Sequence, residues 1–443
     1  MTVPQLQERF DGLAYGYRMA RACGQPTFVT AETYFREETK EARVPCDYCS
    51  GTVHFGPAVA LLRHPDDPAL NNHAISHLAW YHTSTWPDWP SPAHRSRTEA
   101  TLKELAGRLP VDFVDAIEGE PTMALHVGTY EAAIENMLRR MHDQDDARSQ
   151  FYLYRVAIQI APERINEGFR DENAEEAAQL TIGQLDSADL DAIRYLNVHE
   201  AIGSLSLAVR PRCVASVQRL AIPAHALSIE LSESLSNHLN RLEHRRSEIA
   251  QVAVGVSGIE GRLLRRMQLG LAPDPDGLGQ RAHALEVQMH GLWHEVETAL
   301  AQHHMSDISP VVGDQFRRAL AAWRSGGDVE SVLTFSDFFG ASSALLARSP
   351  QVIDLVSVQP RTHTLNVVRD VVNGCQVSGR GRHRAHGLSP AEDPAAIRTC
   401  RLLLSRGIGR RGLIRRGGGI AGCWRACTSG RFARPRTPRR PST

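Results

Sequence analysis

Residues able to hold a metal or move a proton fall at a few places along these 443 residues. The stretch "VPCDYCSGTVHF" carries Cys46-x-x-Cys49, and His73-x-x-x-His77 follows it. Two thiolates from one tight turn, helped by Ser50-Gly51, plus two imidazoles one helical turn apart, are four donors of the kind zinc gathers into a tetrahedron. The loop between the pairs is longer than in a usual zinc finger, and His54 competes for the fourth place. The plainer reading is two reduced core cysteines near histidines, which number 20 in this chain. A redox Cys-x-x-Cys fits less well, because no βαβ pattern surrounds it.

A second set lies further on. In "HLAWYHTSTWPDWPSPAH" an apolar run delivers Tyr81, His82, Thr83 and Ser84 to a loop of tryptophans and prolines. Trp86 and Trp89 suit packing of that loop onto the body better than stacking on a base. "ALHVGTYEAAIENM" reads as a strand through His126, a turn at Gly128-Thr129-Tyr130, then a helix. The free N–H groups and positive end of such a helix suit an anion. "DAIRYLNVHEAIGSLSLAV" runs from a short strand into Asn197 and Glu200, then through Gly203-Ser204 into another strand.

The order and spacing of these three stations resemble the ADP-ribosyltransferase-like superfamily, in particular its His–Tyr–Glu branch, over about residues 78–222. The resemblance implies a split β-sheet core and NAD as substrate. It implies that His82 meets the adenosine ribose and that Thr83 or Ser84 holds the nicotinamide half. Glu200 matches the closing glutamate. His126 falls where the branch has a tyrosine against the nicotinamide ring, which is a departure; Tyr81, Tyr130 or the imidazole itself then supplies that face. Thr129 and Tyr130 fall at the helix start, among the residues expected to hold the cofactor. A second departure is "TWPDWP", where the family has a glycine-rich turn. Cleavage of the nicotinamide–ribose bond passes through an oxocarbenium-like state. A carboxylate beside the ribose stabilises that charge and can act as base for the acceptor.

Elements must position these groups. "FYLYRVAIQI" (151–160), "LSLAVR" (205–210) and "VASVQRLAI" (214–222) have the branched and aromatic content of strands, the last two around a turn at Pro211. "YEAAIENMLRRM" and "NAEEAAQLTIGQL" are helical by propensity. Past Pro223, Leu231, Leu235, Leu239 and Leu242 line one face of an amphipathic helix. Helices continue to about 350, broken at "LAPDPDGLG". The fold expected is α+β, with an N-terminal helical or loop segment and zinc knuckle (1–77), a transferase-like domain (78–223), an α-helical region (224–375) and a disordered basic tail (376–443).

Composition bounds the rest. A hydrophobic fraction of 42% is globular. No apolar run is long enough to span a membrane, and the N-terminus lacks a signal peptide's apolar segment. Eight scattered cysteines suit a reducing cytoplasm better than a secreted disulfide framework. The net charge of zero hides a split: from Arg380 onward there are 16 arginines and two acids, while residues 1–379 carry a net charge of −14. The tail reads as an arm for nucleic acid or as unfolded chain from a shifted reading frame. Expected partners are a protein or nucleic-acid acceptor of ADP-ribose, with helix-mediated self-association. The competing reading is a non-catalytic module that binds zinc and nucleic acid, or a helical interaction protein.

Overall fold

A computed structural model of the protein describes residues 5–20, 23–38, 43–49, 51–54, 60–91, 123–144, 146–173, 177, 180–256, 261–326 and 331–364. The expected basic tail lies outside the described residues, as does part of "NAEEAAQL". The architecture is mixed α and β with several sheets.

The first residues build two small hairpins where helix and loop were expected. β1 (Tyr17–Ala20) pairs antiparallel with β2 (Pro26–Val29), and after α1 (Ala31–Glu38), β3 (Arg43–Pro45) pairs with β4 (Thr52–His54). Strands of three or four residues are too short to show alternation, so their pattern could not be read.

Two four-stranded sheets follow. In the first, β5 (Trp80–Ser84) is an edge strand beside β7 (Phe151–Ile158), then β11 (Val214–Ile222) and β12 (Arg361–His363). In the second, β6 (Leu125–Val127) is an edge strand beside β10 (Leu205–Val209), then β9 (Ala192–Leu196) and β8 (Arg170–Asp171). The expected strands at 151–160, 205–210 and 214–222 are present, with a 3₁₀ turn at Pro211–Cys213. The two edges touch where Tyr81 and Gly128 exchange backbone hydrogen bonds of 2.9 and 3.0 Å.

α2 (Tyr130–Asp143) leaves that contact, with Thr129 as N-cap accepting from the Ala132 N–H. It buries Ile134, Met137, Leu138 and Met141, each contributing roughly 1.5–3 kcal/mol relative to exposure. α3 (Ile182–Ser187) opens with a capping box between Thr181 and Gln184. Past Pro223 come α4 (Glu233–Val256), α5 (Gly261–Gln268), α6 (Leu278–His304), α7 (Pro310–Ser325), α8 (Val332–Ala347) and α9 (Ser349–Ser357). The break expected at 271–279 falls between α5 and α6, with its last two residues opening α6.

The chain on either side of Pro223 shares one core. A single cluster of buried side chains runs from Leu13 and Tyr17 through Ile134 and Leu138 to Phe316, Phe339 and Val352. The Tyr130 hydroxyl, fully buried, donates to the Leu345 carbonyl across it at 2.8 Å.

Candidate functional site

β5, β6, α2, β9 and the loop between β9 and β10 meet at one cleft of about 400 Å³, counting its part open to solvent. His82, His126 and Glu200 all line it, with Asn136, Tyr195 and Asn197. These groups are far apart in the chain, and the meeting of the two sheet edges brings them together.

His82 sits mid-strand on β5. Its Nδ1 is 2.9 Å from the His126 carbonyl oxygen, so the ring bridges the two edge strands. Its face stacks on buried Trp89, with centroids 4.1 Å apart and planes 17° from parallel. The Trp-Pro loop therefore packs onto the body: Trp89 covers the imidazole, and the Tyr154 hydroxyl donates to the Trp86 carbonyl.

His126 lies on β6, its Nδ1 3.0 Å from the Tyr195 hydroxyl. Asn197 Nδ2 donates to Ser206 Oγ at 2.8 Å, and Ser206 on β10 sits opposite Tyr195 on β9. A Tyr195 hydroxyl donating to His126 Nδ1 leaves the ring's own proton on Nε2, which is shielded from solvent and has no partner among the described residues. Burial pulls the His126 pKa down to about 4, against the pull of Glu200. The ring is neutral near pH 7 and offers a donor rather than a charge.

Glu200 is held in a tightly made loop. Asn197 N–H donates to the Ser204 carbonyl and Gly203 N–H to the Asn197 carbonyl, both at 2.8 Å. Ala201 stands in left-handed backbone at φ 46°, a conformation that costs a non-glycine residue about 1–2 kcal/mol. Gly203, at φ 85°, has no room for a β-carbon, which would meet the Leu61 carbonyl at 2.7 Å. Glu200 Oε1 accepts from Asn136 Nδ2 at 3.1 Å and Arg139 Nε at 2.7 Å, both from α2. Oε2 has no hydrogen-bond partner among the described residues.

Two further carboxyls flank this loop. Burial raises Glu135 to about 7, opposed by a hydrogen bond from the Tyr15 hydroxyl and by the Ala201 N–H. Burial likewise raises Glu172 to about 7, opposed by the Val198 N–H. The loop's backbone is thus pinned by acids from two elements.

The other residues expected to hold a cofactor are engaged elsewhere. Thr83 lines the cleft, but its hydroxyl donates to the Ala133 carbonyl at 2.9 Å. Ser84 Oγ accepts from the Trp86 N–H. Thr129 caps α2. Tyr81 reaches the cleft, while its hydroxyl donates to Glu8 at 2.7 Å. Tyr130 is not among the lining residues. The aromatic ring beside His126 is Tyr195, edge-on at 5.7 Å. Tyr195 on β9 and Asn197 just past its end point the same way by alternation, the signal that could have singled them out. A larger apolar cleft of about 670 Å³ lies between α2, α7 and α8. Its lining carries no carboxylate and no imidazole, so it offers no acid–base chemistry.

The cysteines form a separate group. Cys46 and Cys49 occupy the turn between β3 and β4, where Cys46 N–H donates to the Gly51 carbonyl at 2.7 Å. The third member is Cys23, from the turn between β1 and β2, and the three sulfurs lie within 4.8 Å of one another, a set that could hold a metal ion. The Tyr48 N–H directed at the Cys46 sulfur is the main cause holding that thiol down to about 7. His73 and His77, expected to complete the set, do not belong to it. Their segment forms turns and a short 3₁₀ helix, Ile75–His77, rather than one α-helical turn, and both are exposed. The His54 side chain lies outside the described residues.

Among the described residues no helix is long and apolar enough to cross a membrane. No family model, curated protein or solved structure matches this chain.

Proposed function

We propose that the cleft binds NAD and that the protein transfers ADP-ribose from it to an acceptor, in the manner of ADP-ribosyltransferase-like proteins, and that zinc is the ion its cysteine group takes. The observation that carries the transferase reading is that His82, His126 and Glu200 line one cleft between two sheet edges. In this reading His82, backed by Trp89, meets the adenosine ribose. The Nε2 proton of His126 is a hydrogen-bond donor to the nicotinamide side, with Tyr195 as the neighbouring ring. Glu200 places Oε2 against the nicotinamide ribose, where it stabilises developing positive charge and orients the 2′-hydroxyl.

One feature favours a second reading. The Glu200 carboxylate already pairs with Arg139, with Nη2 at 2.6 Å, which weakens it as a counter-charge. A cleft that binds a dinucleotide without cleaving it fits that pairing.

Nicotinamide release and labelled ADP-ribose transfer from NAD separate the two readings. The transferase reading expects turnover by the unmodified chain and a fall on the order of 10²-fold or more for Glu200→Gln. NAD binding with no turnover supports the second reading. Turnover unchanged in Glu200→Gln removes the assigned role.

A further inference from the structure

Beyond the cleft, we infer that Cys23, Cys46 and Cys49 make a three-thiolate zinc centre that ties two hairpins together and braces the loop carrying Glu200. This rests on zinc being the ion of the cysteine group, and it needs nothing from the NAD reading.

The sulfur spacing is compatible with a metal site, all three lying within 4.8 Å of one another. A Zn–S bond of about 2.3 Å places the corners of a tetrahedron roughly 3.8 Å apart. Cys23 Sγ and Cys46 Sγ are 3.7 Å apart. A disulfide would need about 2.05 Å. Each sulfur comes from a tight turn, and the turns belong to different hairpins, so no single local motif brings them together. Thr27 on β2 also reaches across, its Oγ1 3.8 Å from the buried Cys46 sulfur. Cys23 and Cys49 remain exposed, which gives an ion a way in. Zinc completes its tetrahedron with a fourth donor, for which a water suffices.

The first hairpin connects this cluster to the cleft. Arg18 on β1 accepts the Leu61 N–H at 2.8 Å through its carbonyl, and its guanidinium donates to the Leu62 carbonyl at 3.1 Å. The same short strip meets the Glu200 loop on its other side. Arg63 N–H donates to the Gly203 carbonyl at 2.8 Å, and Arg63 Nη2 donates to the Ile202 carbonyl at 2.8 Å. The strip 60–63 is therefore held between β1 and the loop. Two-residue pairings such as these fray unless something fixes the hairpin's far end, and the metal is placed to do so.

Metal analysis of the chain purified under reducing conditions tests this. The chain should retain stoichiometric zinc against a weak chelator, and Cys23→Ser, Cys46→Ser and Cys49→Ser should each lose it, while His73→Ala and His77→Ala keep it. Cobalt(II) exchanged into the unmodified chain should show thiolate charge-transfer absorption for three sulfurs, an assay independent of whether a variant folds. On zinc removal, amide exchange at Leu61, Arg63 and Gly203 should speed up while central-strand amides such as Leu153 stay protected. Failure of the unmodified chain to take up zinc or cobalt overturns the zinc reading and this inference with it. Zinc retained by folded Cys23→Ser, or cobalt spectra of two sulfurs only, overturns the inference alone. Unchanged exchange at Leu61, Arg63 and Gly203 overturns the bracing.

Discussion

Glu135 shows how strongly single residues are tuned around this cleft. Its carboxyl is fully buried under Tyr15 and sits at about 7, against an ordinary 4.5. Between these values the folded chain binds more protons than the unfolded one, so stability falls as pH rises through the window and is flat above it. A separation of that size corresponds to on the order of 3 kcal/mol. Glu135→Gln keeps an acceptor for the Tyr15 hydroxyl and has no proton to lose. Urea unfolding should find the variant more stable than the unmodified chain near about pH 8, by up to that amount, with little difference near about pH 5. Equal stability at the higher pH would mean the carboxyl is not buried as described. Glu172 acts in the same direction, so the pH dependence should be reduced rather than abolished.

His82, His126 and Glu200 were legible because the first two stand in short apolar strand runs and the third just before a Gly-Ser turn, although His82 lies mid-strand and not at the strand's end. Cys23 and Tyr195 were not. A cysteine twenty-three residues before its partner has no spacing rule, and its place follows only from the packing of two hairpins. Thr83, Ser84 and Thr129 illustrate the converse: hydroxyls beside a strand end or helix start are as useful for closing the local backbone as for touching a ligand.

At the scale of elements, two glycines set how closely the pieces approach. Gly203 is at φ 85° and lies against the Leu61 carbonyl, so Gly203→Ala is strained in backbone and in space. It should cost roughly 2 kcal/mol or more in denaturant unfolding; a loss near zero would contradict the tight contact between loop and strip. Gly128 lets β6 approach β10: a β-carbon there would meet Ser206 Oγ at 2.6 Å. Gly128→Ala must turn Ser206 away from Asn197, at about 1 kcal/mol for the lost hydrogen bond. Denaturant unfolding should read that loss, and an unchanged midpoint would contradict the close approach of Gly128 to Ser206.

The long strands announced themselves because buried central strands carry continuous branched and aromatic residues, as in "FYLYRVAI". The hairpins before residue 60 are too short to carry such a pattern. Pairing between strands far apart, such as β6 with β10, is a tertiary fact with no local trace.

At the scale of the whole molecule, the helices after Pro223 complete the core beneath the cleft. α2 carries Asn136 and Arg139 toward Glu200 on one side and packs against α7 on the other. Burying Phe316, Leu320 and Phe339 there contributes roughly 1.5–3 kcal/mol per side chain. A chain ended after Pro223 would expose the apolar face of α2 that those side chains cover and lose the Tyr130–Leu345 hydrogen bond, a deficit comparable to the whole stability of an ordinary domain. Circular dichroism on heating should show no cooperative transition for it; a cooperative transition would mean that the cleft stands without its helical support. Amphipathic periodicity revealed the helices, but not that their apolar faces close on α2.

The most direct test of the central claim is equilibrium binding of NAD followed by calorimetry, on the unmodified chain and on His82→Ala and Glu200→Gln. Saturable binding at one site, weakened at least about tenfold by His82→Ala, which is about 1.4 kcal/mol, and retained in Glu200→Gln is the result predicted. No saturable binding to the folded, zinc-loaded chain, or binding indifferent to His82, would contradict a dinucleotide cleft between these two sheet edges.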